Sequence, residues 1–164
     1  MMLGLSLFVF TNLHVVISLI AIAAGLIVMF AMLGSNRMPS LTGLFLLFTI
    51  LTSVTGLMFP FEKLLPSHIL SIISLVLLLV ACITLLYGTR LAGASRWIYV
   101  VTALASLYIN VFVLVTQGFL KIEPLHALAP GNPPNGPAFA VVQGIVLLFF
   151  VIMIICAVRR FRPA

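Results

Sequence analysis

The chain has 164 residues, of which 64% are hydrophobic and 6% charged, with a mean hydropathy of +1.40. A soluble domain of this length needs far more polar surface, so that class is excluded. The formal charge of +6 comes from a few basic residues at the ends of apolar runs. No basic stripe or aromatic platform accompanies them, which argues against a nucleic-acid partner.

In chain order, the opening MMLGLSLFVF is apolar but has no basic n-region. It reads as an extension of the first helix or a strip along the outer interface, not as a cleaved signal peptide. The first span covers about residues 12–33 and is closed by GSNRMPS. The second, about 41–59, is closed by PFEKLLPS, and the third, about 67–87, by GTRLAGASR. In the third, Pro66 suits a first helical turn and Ser67 can cap it. The fourth span is about 97–120. A Pro-rich connector, 121–137, then precedes the fifth, about 138–158, and the tail RRFRPA. Each run has bilayer-spanning length and lacks the period-2 alternation of a membrane strand. The sequence therefore predicts a single transmembrane domain, an all-α membrane protein built as a bundle of five helices in the lipid bilayer.

Arg37, Arg90, Arg96, Arg159, Arg160 and Arg162 all fall on one side of a five-span chain. Glu62 with Lys63, and Lys121 with Glu123, nearly cancel on the other. The positive-inside rule then sets the N-terminus outside and the C-terminus in the cytoplasm. Trp97 and Tyr99 stand where a cytoplasmic aromatic belt is expected. Cys82 and Cys156 have no metal-type spacing and read as small buried hydrophobes near the same end of their helices.

Depth follows from the helical rise of 1.5 Å per residue. It puts His14, His68 and Gln117 ~28–30 Å from the cytoplasmic helix ends. Ser18, Ser53, Ser71, Asn110 and Gln143 form a second tier at roughly 18–24 Å. Polar groups are thus concentrated in the outer half, and His126 lies in the connector on that same side. Helical spacing predicts inward stripes: His14, Ser18, Ala21 and Gly25; Thr49, Thr52, Ser53 and Gly56; Ala103, Ser106, Asn110 and Gln117; and Ala140, Gln143 and Gly144. Small residues on such stripes let helices approach, and hydroxyls and amides bond across the contact. The connector reads as a solvated link, with a lid over the polar half as the alternative.

Three readings follow. One is an accessory or structural subunit whose polar stripes hold helices together, alone, as a homo-oligomer or with other membrane subunits. The second is a binder of a small amphipathic ligand in an outward-facing pocket lined by His14, Ser18, Ser53, His68, Ser71, Asn110, Gln117 and Gln143, with His126 above; a quinone or quinol suits such a half-depth site. The third is a b-type haem protein with His14 and His68 as axial ligands. There is no Ser-His-Asp set, carboxylate pair, HExxH or Gly-rich phosphate loop, so an enzyme is the least supported reading.

The phrases LTSVTGLMFPFEKLLPSH, SRWIYVVTALASLYINVFVLVTQ and LHALAP resemble a group of small bacterial multi-pass membrane proteins of uncharacterised function. The resemblance covers nearly the whole chain. It implies a location in the bacterial inner membrane and carries no site residues.

Overall fold

The computed structural model describes residues 6–59, 66–88 and 91–162. These form six helices: α1 (Leu7–Leu33), α2 (Pro39–Leu57), α3 (Pro66–Tyr87), α4 (Ala94–Lys121), α5 (Glu123–Leu128) and α6 (Pro137–Arg160). All but α5 are long and apolar enough to cross a membrane, matching the five expected spans.

The helix ends obey local chemistry. The Ser6 hydroxyl accepts from the Val9 N–H at 3.4 Å, so α1 begins five residues before the boundary expected from hydropathy. Proline opens α2, α3 and α6, where its missing N–H has no intrahelical partner to lose. α4 starts at Ala94 rather than Trp97, behind Gly93 at φ +59°, a conformation that glycine adopts without a Cβ penalty.

α1 packs chiefly on α2, α2 on α3 and α3 on α4, and a thinner α1–α4 seam closes the ring. α6 lies outside it, against α4 and the end of α1. The core draws on the second halves of α1, α3 and α6 and the first halves of α2 and α4, so neighbours in the ring run antiparallel. Met29, Met32, Phe45, Leu78, Tyr99, Leu104 and Phe150 fill it. Tyr99 is therefore a core residue and not part of an interfacial belt, whereas Trp97 is exposed. Gly25 sits at the centre. A Cβ there would lie 2.6 Å from Leu107 Cδ1 and 2.8 Å from the Phe45 ring, so any larger residue would force those side chains to shift. Cys82 and Cys156 are free thiols at half-buried positions.

The same end of the bundle carries the arginines. The Arg96 guanidinium donates through Nη1 to the Phe161 carbonyl at 3.1 Å, and the Arg162 N–H donates to Ser35 Oγ at 2.8 Å. These bonds tie the start of α4 and the α1–α2 turn to the chain following α6. Arg37, Arg96, Arg159, Arg160 and Arg162 are gathered there. Arg90, Glu62 and Lys63, used in the charge count, lie outside the described residues, as do residues 1–5 of the apolar opening.

At the opposite end the connector contains α5. His126 Nδ1–H donates to the Phe119 carbonyl at 3.2 Å, folding α5 back on α4. Phe119 meets Phe139 edge to face at 5.4 Å, which seats the start of α6.

Candidate functional site

Away from the arginine end, the four-helix ring opens. The first half of α1, the end of α2, the start of α3 and the last turns of α4 enclose a cavity of about 780 Å³. Packing is tight in the half around Gly25 and open in this one, so the molecule is asymmetric along its long axis.

Six of the nine residues singled out from the sequence line this cavity: His14 and Ser18 on α1, Ser53 on α2, Ser71 on α3, and Asn110 and Gln117 on α4. Three do not. His68 is fully buried in the first turn of α3 and is absent from the lining, so it does not stand at the water boundary. His126 bonds the end of α4. Gln143 donates through Nε2 to the Phe112 carbonyl at 3.0 Å and to Thr116 Oγ1 at 3.2 Å, where it fixes α6 on α4. Of the connector, Lys121 and Ile122 line the cavity and residues 123–137 do not. Of the two imidazoles named in the haem reading, His14 lines this space and His68 does not.

The sequence reading also left out lining residues. Thr11 and Ser67 stand three and four positions before His14 and Ser71, and Ser74 stands three after Ser71, so each shares a helical face with a residue that was singled out. That spacing was the signal that could have found them. Lys121, which the charge count balances against Glu123, lines the cavity together with Ile122. Thr52 and Gly56, both on the expected inward stripe of α2, line it too.

Two observations define what the site offers. First, His14 Nδ1 is 2.7 Å from Thr55 Oγ1, and Phe59 packs edge-on against the imidazole at 5.3 Å. Thr55 Oγ1 is also 2.7 Å from the Leu51 carbonyl, which can only accept. The single threonine proton therefore goes to Leu51, and His14 donates Nδ1–H to the oxygen of Thr55. This tautomer satisfies every short contact and leaves Nε2 as an acceptor. No described residue bonds to Nε2. Gly56 makes room beside it: a Cβ there would lie 2.7 Å from Ser71 Oγ and 3.8 Å from His14 Cε1. Second, Asn110 lines the cavity at 7% exposure, and its Nδ2 has no partner among the described residues. An unpartnered amide this deep costs stability unless something else accepts from it.

Comparison with family models, curated proteins and solved structures returns no match to this chain.

Proposed function

We propose that the protein is a multi-pass protein of the bacterial inner membrane that binds a small amphipathic ligand in the α1–α4 cavity. The observation that carries this reading is Asn110: a buried, unpartnered amide on the wall of a cavity large enough for a head group and the first part of a tail. The gathering of arginines at the far end supports an orientation with the N-terminus and the cavity on the periplasmic side and the C-terminus in the cytoplasm. The resemblance to small bacterial membrane proteins supports the choice of membrane.

A second reading, an accessory or structural subunit, is favoured by the Ser53–Ser74 hydroxyl pair, which joins α2 to α3 at 3.0 Å. In that case the exposed apolar faces of α3 and α6 would meet other membrane subunits or a second copy.

The test is organic extraction and mass spectrometry of protein purified in mild detergent. Wild type is expected to yield one amphiphile in near-stoichiometric amount. Ser18→Phe, which puts a ring into the cavity, is expected to lose it, and Ile145→Phe on the exposed face of α6 to keep it. The same extract from Ser18→Phe as from wild type would refute the reading.

A further inference from the structure

The positive charge at the arginine end has no acidic side chain to meet it. Arg37, Arg96, Arg159, Arg160 and Arg162 gather there. The whole chain has two acidic residues. Glu123 opens α5 at the opposite end, and Glu62 belongs by sequence to the segment linking α2 to α3. No acidic side chain therefore stands among the described residues at the arginine end. The Arg96–Phe161 and Arg162–Ser35 bonds tie the α1–α2 turn, the start of α4 and the chain after α6 to one another, so three segments present their cations together.

An apolar track leads to this cluster. Val141, Ile145, Leu148, Ile152 and Ile155 follow one another on α6 at steps of four, three, four and three residues, and a further step of four reaches Arg159. Such steps keep all six on one helical face. The five apolar residues are between 47% and 63% exposed, and Arg159 is exposed as well. From Val141 to Arg159 the helix rises ~27 Å, close to the hydrocarbon thickness of a bilayer. With the track against acyl chains, Arg159 stands at the level of the head groups.

We propose that the end of α6 is a docking site for a phospholipid of net negative charge, its phosphate diester among the arginines and its acyl chains along the α6 track. Arginine forks match phosphate oxygens, and clustered basic residues at the end of a span attract acidic head groups. In the orientation proposed above, this lipid belongs to the cytoplasmic leaflet. Charge also decides against a second copy as the occupant. Two chains inserted in the same sense and packed through this face would bring Arg159 against Arg159, like charges with no acidic side chain of the cluster between them. The site is separate from the cavity, and its failure would leave the cavity reading standing.

The chain's single tryptophan, Trp97, adjoins Arg96 and is 48% exposed, so it reports on lipid at this end. The test is quenching of Trp97 fluorescence in bilayers by phosphatidylglycerol or phosphatidylcholine carrying the same brominated acyl chains. Wild type is expected to favour phosphatidylglycerol by about three- to tenfold in relative binding constant. The triple variant Arg159→Gln, Arg160→Gln, Arg162→Gln leaves the bonds to Phe161 and Ser35 in place, since neither uses these side chains. It is expected to bring the two lipids within about twofold. Lys121→Gln, which removes one positive charge at the far end, is expected to keep the preference. Equal quenching by the two lipids in wild type, or quenching by neither, would overturn the proposal. So would loss of the preference on adding inorganic phosphate but not chloride at equal ionic strength, because the arginines would then bind the free ion. Disulfide cross-linking of Ile152→Cys between copies, in a background where Cys82 and Cys156 are replaced by alanine, would put protein on the track and overturn it too.

Discussion

His14 and Asn110 make opposite demands on their surroundings, and mutation can separate them. His14 is tied to Thr55, so Thr55→Val removes the acceptor for Nδ1–H. It is expected to cost about 0.5–1.5 kcal/mol, read as a shift in the unfolding midpoint in mixed detergent micelles. Asn110 gains nothing from the protein through Nδ2. Asn110→Leu is therefore expected to hold or raise stability by up to about 1–3 kcal/mol while reducing the co-purified ligand. A matching fall in both quantities would mean that the amide serves the fold rather than a ligand. At this scale the sequence reveals height better than direction. The rise per residue put His14 and His68 at one level, but azimuth depends on how each helix is rotated, and α3 turns His68 into protein and away from the cavity. Ser71, one turn further along α3, does face it. Thr55 was invisible as the partner of His14 because its importance comes from the pairing of α1 with α2.

Among the helices, the stripes on α1, α2 and α4 were legible because these helices have protein on more than one side. Small and polar residues at helical spacing then mark real contacts. Ala21, Gly25, Thr49, Ser53, Ala103 and Ser106 are all buried. The stripe on α6 misleads. Gln143 is buried, but Ala140 is exposed and a Cβ at Gly144 would meet nothing within 4 Å. α6 contacts the bundle along one narrow face, so a small residue elsewhere on it has no packing role. The contrast gives a paired prediction. Gly25→Ala is expected to destabilise by about 1–3 kcal/mol, since Leu107 and Phe45 must move, and Gly144→Ala to change stability by less than about 0.5 kcal/mol. Unfolding both variants in the same micelles checks it. The start of α1 at Leu7 agrees with reading the apolar opening as an extension of the first helix, and the Ser6 cap marks where it begins.

For the whole molecule, the two ends differ in charge and in packing. One end has the arginines, the methionine and aromatic core and the Gly25 crossing; the other has the hydroxyls, the unpartnered amide and the cavity. With a C-terminal fusion, a fluorescent reporter that folds in the cytoplasm is expected to be active and a periplasmic phosphatase inactive. The reverse pattern would invert the orientation. The asymmetry itself is tested most directly by cysteine accessibility in native membranes, in a background where Cys82 and Cys156 are replaced by alanine. Maleimide reacts with the thiolate, which forms only where water reaches. Ser71→Cys in the cavity wall is expected to react readily, and Ala103→Cys in the closed half to stay unmodified until the protein is unfolded. Equal labelling of both, or protection of both in ligand-stripped protein, would contradict the account.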